Sequence, residues 1–435
     1  MYLIYSALLA VGLLVASPYW LLEMLRHGKY RKGLLQRLGK VPESIRSPRG
    51  RSIWIHAVSV GEVLAVSQLV QALGTEFPEH RILISTTTDT GHQLASRRFG
   101  AENVFYFPLD FRFIMRKYFR AMRPEFVVVA ETEFWPNFLR LANEARSPVA
   151  IVNARISDRS FPGYRRWRFP LRKVLQNVNL FLAQTQKDSR RLIEIGAPAD
   201  RVAVSGNLKF DVPLPAPPPI VAQVRSALRD SGPVLVCGST VEGEEDVVLS
   251  AFRHILRTYP AAVMLLAPRR PERFSYVASL ARQLKFQVSE RSGWNGEPLS
   301  GGVLLIDTIG ELAGLYALAD IAFVGGSLVP SGGHSIIEPA QHGVAILVGP
   351  HTENFRDVVA TFESQNAVRV VHPEEEDEAD ELSEAIMELL ADENERNAMG
   401  RRALQTLQAQ QGATAITLQK MKTLLPTHKL EAHTD

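Results

Sequence analysis

The chain has 435 residues, too many for one ordinary domain and enough for two or three of about 100–200 residues each. Hydrophobic residues at 46% and charged residues at 22% are the balance of a globular protein with sizeable cores. The single cysteine, Cys237, excludes an internal disulfide and any Cys-rich metal site. It lies in the apolar run Val234-Leu-Val-Cys237 and reads as a small core residue. Net charge is only +3, but it is unevenly placed. Before Val60, Arg26, Lys29, Arg31, Lys32, Arg37, Lys40, Arg46, Arg49 and Arg51 face only Glu23 and Glu43. A second basic cluster is Arg155, Arg159, Arg165, Arg166, Arg168, Arg172 and Lys173. Such local excess points to an anionic surface or ligand and says nothing of fold.

Met1 to Leu22 carries no charged side chain. Its length approaches the ~20 residues that cross a bilayer. Tyr19 and Trp20 suit an interface, and the basic cluster follows at once. By the positive-inside rule the rest of the chain is then cytoplasmic. A signal peptide normally opens on a basic segment, which is missing here. The expectation is an anchor over residues 1–25, either spanning or lying in one leaflet.

Ile53 to Val58 reads as a strand, Ser59-Val60-Gly61 as a turn, and Glu62 as the start of a helix reaching about Leu73. Glu62 thus sits where open α/β sheets place catalytic groups; a carboxylate complementing the helix dipole is the plainer role. Arg81-Ile-Leu-Ile-Ser85, Phe126-Val-Val-Val-Ala130, Val149-Ala-Ile-Val152, Leu180-Phe-Leu-Ala183 and Val202-Ala-Val-Ser205 are further strands, alternating with helical stretches. The third of these six strands exits into Glu131-Thr-Glu-Phe-Trp-Pro-Asn137, which suggests a lined cleft. Alternation of this kind means βαβ units and a parallel sheet.

Pro213 to Pro219 is a proline-rich break that reads as a semi-rigid linker. The alternation then restarts with strands at Val234–Cys237, Ala262–Ala267, Val303–Ile306, Ile321–Val324 and Ala345–Val348. The stretch from Glu374 to Glu381 is a solvated acidic surface, and about Ala385 to Leu425 is helical and amphipathic. The expected division is an anchor at 1–25, a domain at 26–212, a linker at 213–232, a second domain at 233–425 and a tail at 426–435. Both domains read as doubly wound, and ligands of such sheets bind at the carboxyl ends of strands, so the cleft between the domains is the default site.

The glycine-rich run Gly325 to Pro339 follows the strand Ile321-Ala-Phe-Val324 and leads into a helix opening near Ser335. Strand, glycine turn and helix start bring backbone N–H groups to a phosphate. Two other strand exits of this half add donors. Pro268-Arg269 offers a guanidinium for phosphate, and Ile309-Gly310-Glu311 offers a helix start. With Ser335, Ile336, Ile337 and Glu338 these residues suit a nucleoside monophosphate: phosphate on Arg269, ribose on Glu338, base near Ile309 to Glu311. No Walker A sequence is present, no Gly-x-Gly-x-x-Gly follows the first strand, and no Asp-x-Asp pair is found. No histidine shows metal-ligand spacing; His334 and His342 lie eight apart. Neither a metal nor another cofactor is expected, nor a nucleic-acid partner.

These features resemble the GT-B glycosyltransferases. The stretches Trp54 to Glu62, Glu131 to Pro136, Asn153-Ala-Arg155, Gly206 to Asp211, Glu242-Gly-Glu244, Pro268-Arg269, Gly325-Gly-Ser327 and Gly332-Gly-His334 resemble, in order, the 3-deoxy-D-manno-oct-2-ulosonic acid (Kdo) transferases. The resemblance covers nearly the whole chain. It implies two Rossmann-like domains facing a cleft, a membrane-anchored enzyme at the cytoplasmic side of the inner membrane, and transfer of Kdo from CMP-Kdo to a lipid A precursor with inversion. It implies Glu62 as general base and Glu131 and Lys209 as stabilisers of the transition state. Ser335-Ile-Ile-Glu338 stands where many members have Asn-Pro-Leu-Glu, and Ile309 where Met is frequent; both departures leave the backbone donors in place. A GT-B transferase using a UDP-sugar and a membrane-tethered nucleotide-binding protein without turnover are the alternative readings.

Overall fold

The computed structural model describes residues 1–27, 32–46, 52–214, 216–229, 231–372 and 378–424. Lys29, Arg31, Arg49 and Arg51 of the first basic cluster, residues 374–377 of the acidic stretch, and the expected tail 426–435 lie outside them. The chain forms two compact units, one from Met1–Asp211 with the helix Ala413–Lys422, the other from Val212–Gln410.

The first unit is built on a seven-stranded parallel sheet. Its strands are β1 (Ser52–His56), β2 (Arg81–Thr86), β3 (Val104–Tyr106), β4 (Pro124–Ala130), β5 (Val149–Ala154), β6 (Leu180–Ala183) and β7 (Val202–Val204). They lie in the order β3-β2-β1-β4-β5-β6-β7. The order reverses between β1 and β4, the switch point at which doubly wound sheets open a crevice. All five residues of β1 are buried because helices cover both faces. On one face Trp54 packs against Phe105, Phe119 and Phe138, and its indole N–H donates to Ser85 Oγ at 2.8 Å. On the other, Ile53 and Ile55 join Val63, Val66, Leu69 and Val70 of the helix Val60–Glu76.

The amino-terminal helix, Tyr2–His27, contains Pro18. Its first turns dock on the first unit. Asn177 Nδ2 donates to the Tyr2 hydroxyl at 3.0 Å, Asn137 Nδ2 to Ser6 Oγ at 3.1 Å, and Arg140 lies over the Tyr2 ring. The opposite side leaves Leu3, Ile4, Leu8, Val11, Leu14 and Val15 exposed. No helix among the described residues is long and apolar enough to cross a membrane.

The second unit repeats the plan with β8 (Val234–Thr240), β9 (Val263–Pro268), β10 (Val288–Glu290), β11 (Val303–Leu305), β12 (Ile321–Val324), β13 (Ala345–Val348) and β14 (Arg369–Val370). The order is β10-β11-β9-β8-β12-β13-β14, all parallel, with its reversal between β8 and β12. Cys237 is buried in its core.

Two boundaries differ from the expectation. The proline run does not end as a linker: Pro219–Ala227 is a helix with proline in its first turn, and Ile220, Val221 and Val224 are buried against β8 and β9 residues. Proline is tolerated at the first helical positions because its missing N–H has no partner there anyway. The last helix belongs to the first unit, not the second. The Asp211 carboxylate accepts from the N–H groups of Gly412, at 2.7 Å, and Thr414, capping that helix. Ala413 and Met421 are buried in the core beside the helix Val60–Glu76, and Lys422 pairs with Glu76 at 2.6 Å.

Candidate active site

Glu62 enters the first unit's carboxyl edge through a helix cap. Ser59 is the N-cap of the helix Val60–Glu76, and its hydroxyl accepts from the Glu62 N–H. The Glu62 carboxylate reaches back, accepting from the Ser59 hydroxyl at 3.0 Å and from the Val58 N–H at 2.8 Å. This is a capping box closed one residue earlier than usual. The cap fixes the carboxylate on the rim of the switch point. Burial pushes its pKa up to about 7, Glu131 and Glu133 push the same way, and the Val58 and Ser59 donors oppose them. A carboxylate of that pKa accepts a proton near neutrality far better than an ordinary glutamate.

Glu131 stands at the end of β4, across the switch point from β1. Its φ of 55° is left-handed, a costly setting for a residue with a side chain. The Glu131 N–H donates to Val152 O at 2.9 Å, which holds that turn to β5. Lys209 Nζ lies 3.5 Å from Glu131 Oε1, with both side chains half-buried. The Gly206–Asp211 motif is what delivers the lysine. Asn207 Oδ1 accepts from the Lys209 N–H, Asn153 Oδ1 accepts from the Leu208 N–H, and Leu208 and Phe210 are buried. Asn153 is itself buried with φ 55° at the end of β5. The Asn153-Ala-Arg155 motif is tied in further: the Thr132 hydroxyl donates to Arg155 O at 2.9 Å. Four strand exits therefore converge, bringing Glu62, Glu131 and Lys209 to one edge.

Glu133 was not singled out by sequence reasoning. Burial raises its pKa and Glu131 adds to the rise, while the Trp135 indole opposes it. Its spacing of two from Glu131 was visible, but nothing in the sequence showed that both carboxylates act on Glu62.

In the second unit the glycine run departs from its expected use. Glu244 is fully buried, and its carboxylate accepts from the N–H groups of Gly326, Ser327 and Leu328 at 2.7–2.8 Å and of Val241 at 3.0 Å. Those loop donors are thus spent inward and do not face a phosphate. The helix after the loop is short, Ile337–Gln341, and begins two residues beyond Ser335, whose hydroxyl accepts from the Ile337 N–H. Ile336 and Ile337 are buried, so only their backbone can meet a ligand.

Arg269, His334 and Glu338 do come together. Burial lowers the His334 pKa to about 4, with Arg269 adding to the fall, so the ring is neutral at pH 7. Burial raises Glu338, and Arg269 opposes it. Arg269 follows β9 and Pro268, and its N–H donates to Thr240 O at 2.8 Å. Ile309 is exposed, and Gly310 has φ 91°. The Glu311 carboxylate accepts two bonds from Arg291, at 3.0 and 3.1 Å, and one from Thr308, so Glu311 can offer a ligand only its backbone. His342 Nε2 lies 2.9 Å from Ala313 O, a structural contact. Among the described residues no cluster of His, Cys, Asp or Glu could hold a metal ion.

The model of the 3-deoxy-D-manno-octulosonic-acid transferase family matches residues 32–212. The 3-deoxy-D-manno-octulosonic acid transferase of Haemophilus influenzae is 33% identical over 95% of this chain and 97% of its own. That of Bordetella pertussis is 35% identical over 89% of this chain and 90% of its own. The chain belongs to the Kdo transferase family. A glycosyltransferase of Rickettsia africae shares the fold, with a TM-score of 0.53 at 14% identity over 87% of this chain and 99% of that one. Membership places this protein among the glycosyltransferases, and two doubly wound sheets agree with it.

Proposed function

We propose that this Kdo transferase uses CMP-Kdo as donor and a lipid A precursor as acceptor, with inversion at the anomeric carbon. The observation that carries the reading is the Glu62 carboxylate, fixed by its cap and poised near neutrality. An acceptor sugar hydroxyl attacks the anomeric carbon of Kdo. The bond from that carbon to the phosphate oxygen breaks, CMP departs with the bonding pair, and Glu62 takes the hydroxyl proton. Lys209 meets the negative charge that gathers on the ketose carboxylate or the departing phosphate, and Glu131 both orients Lys209 and favours a cationic anomeric centre. Arg269 takes the CMP phosphate and Glu338 the ribose; Ser335 to Ile337 and Ile309 to Glu311 contribute backbone groups. No metal is needed, because the leaving group is a phosphate monoester that a guanidinium can stabilise.

The acceptor is a phosphorylated lipid, and the exposed row Leu3, Ile4, Leu8, Val11, Leu14 and Val15 supports an amino-terminal helix lying in the cytoplasmic face of the inner membrane. The exposed Trp167 and Phe169, set among Arg165, Arg166 and Arg168, fit the same surface. The test is CMP binding to wild type and Arg269→Ala. CMP that binds and UDP that displaces it would favour a UDP-sugar donor instead.

A further inference from the structure

The first unit has a cavity of about 740 Å³ at the amino ends of its strands, away from the carboxyl edge that carries Glu62, Glu131 and Lys209. Arg201 immediately precedes β7, and Gln176 lies just before β6. Arg168, Arg172 and Arg201 line the cavity, with Phe169 and Ile193 as its apolar wall. The one lining carboxylate, Glu194, is engaged by Arg165 at 3.0 Å. Arg201 is braced by bonds to Gln176 O at 3.0 Å and Val178 O at 2.9 Å, and Arg168 lies over the Phe169 ring. Arg172 has no ion-pair partner among the described residues. Its backbone and Cβ rest on Gly196, which has φ 114° and where an added Cβ would meet Arg172 Cβ at 2.8 Å. Three guanidiniums, that of Arg201 braced by its two carbonyls, beside an exposed phenylalanine make a site for a phosphate attached to something apolar.

Its position says which phosphate. The Tyr2 hydroxyl donates to Lys173 O at 3.4 Å and accepts from Asn177, so the first turn of the amino-terminal helix is tied to the chain neighbours of the lining residues Arg172 and Gln176. Leu3 and Ile4, on that turn, are 87% and 66% exposed, and Phe169 and Trp167 are 72% and 67% exposed. A second basic depression, lined by Phe161, Arg165, Arg166 and Arg168, adjoins it through the shared Arg168. We propose that this cavity binds the headgroup of an anionic glycerophospholipid of the membrane, at a site separate from the acceptor's. The inference rests on the membrane setting proposed above. The phosphodiester lies on Arg168, Arg172 and Arg201, and the acyl chains leave past Phe169, Trp167 and Leu3.

The test is co-sedimentation of the full chain with phosphatidylcholine vesicles, with and without phosphatidylglycerol. Arg168→Gln with Arg172→Gln is compared with Arg97→Gln and Arg98→Gln, which remove the same charge from the exposed end of the helix Asp89–Phe99. Each basic side chain at an anionic surface contributes roughly fivefold, so the cavity pair should weaken binding to phosphatidylglycerol vesicles about thirtyfold. Binding to phosphatidylcholine should not change, and the control pair should lose little. Should the cavity pair unfold the protein, Ile193→Asp, at the exposed rim, should give the same selective loss. Equal losses from both pairs, or none from the cavity pair or Ile193→Asp, would overturn the site. Competition by inorganic phosphate as effective as vesicles would assign the cavity to a free anion and overturn the lipid. A raised KM for detergent-dispersed acceptor, with vesicle binding intact, would assign it to the acceptor's phosphate and overturn it likewise. Vesicle binding is read without donor or acceptor, so failure here leaves the transfer reading standing, and the reverse.

Discussion

Lys209 Nζ lies 3.5 Å from Glu131 Oε1. The pair is assembled from residues 78 apart in the chain (209 − 131), and nearly every polar contact around it serves to hold one partner in place. Lys209→Met should lower kcat by about 10²–10³-fold, the effect of removing one preorganised charge from a transition state. CMP affinity, read by calorimetry, should stay near the wild-type value. A matching fall in CMP affinity would move Lys209 out of the chemical step.

Arg269 neighbours both His334 and Glu338 and holds the pKa of each down. Arg269→Ala should weaken CMP binding by about 1.5–3 kcal/mol, the range of hydrogen bonds to charged groups. Unchanged affinity by the same calorimetric measurement would remove Arg269 from the donor site.

Glu244 holds the loop after β12 by three backbone N–H groups and takes a fourth from Val241, just after β8. Glu244→Gln turns one accepting oxygen into a donor facing donors. Urea unfolding should show a loss of about 2–4 kcal/mol, accompanied by weaker CMP binding because His334 packs on Gly326 of that loop. An unaltered urea midpoint would mean that the loop holds its shape without the carboxylate.

Stability of the first unit should fall as pH rises from about 4 to 8. Asp110 is buried under the start of the helix Pro136–Glu144, accepting from the N–H groups of Asn137 and Phe138 at 2.9 and 2.7 Å. Burial raises it to about 7, and Glu62 is also raised to about 7. A carboxyl whose folded pKa lies above its unfolded value binds its proton more tightly in the folded chain. Its contribution is full below the unfolded pKa and is lost as pH passes the folded one, of order 3 kcal/mol for each group. Asp110→Asn should flatten that part of the profile in urea melts taken across the range. A slope of the opposite sign would show both carboxyls to be stabilised as anions.

Most strands were legible because parallel sheets buried on both faces write continuous apolar runs, as in β4 from Phe126 to Ala130. Strands β3, β10 and β14 were not: they are two or three residues long, and β10 and β14, unlike the short β7 and β11, do not lie in a longer run of apolar and small residues that leads into a polar turn. The position of Glu62 at a strand-to-helix turn was legible, its role as a base came from the family resemblance, and its capping bonds and pKa needed the fold. Glu244 and the glycine run show the limit more sharply. A glycine-rich turn after a strand reads as a ring of free donors, and only the fold reveals a buried carboxylate 82 residues away that consumes them. The final helix was misplaced for a related reason: its cap, Asp211, lies 201 residues before Gly412 in the chain.

The most direct measurement is a transfer assay. Wild type and Glu62→Gln, each in detergent, are given CMP-Kdo and a tetra-acylated lipid A precursor across a range of pH, with products read by mass spectrometry. With wild type the acceptor mass should rise by one or more Kdo units, and kcat/KM should climb with pH through an apparent pKa of about 7 as Glu62 ionises. Glu62→Gln should retain CMP binding and lose transfer by at least about 10²-fold. Full transfer by Glu62→Gln, or a wild-type profile flat through neutrality, would contradict the assignment of Glu62 as the base.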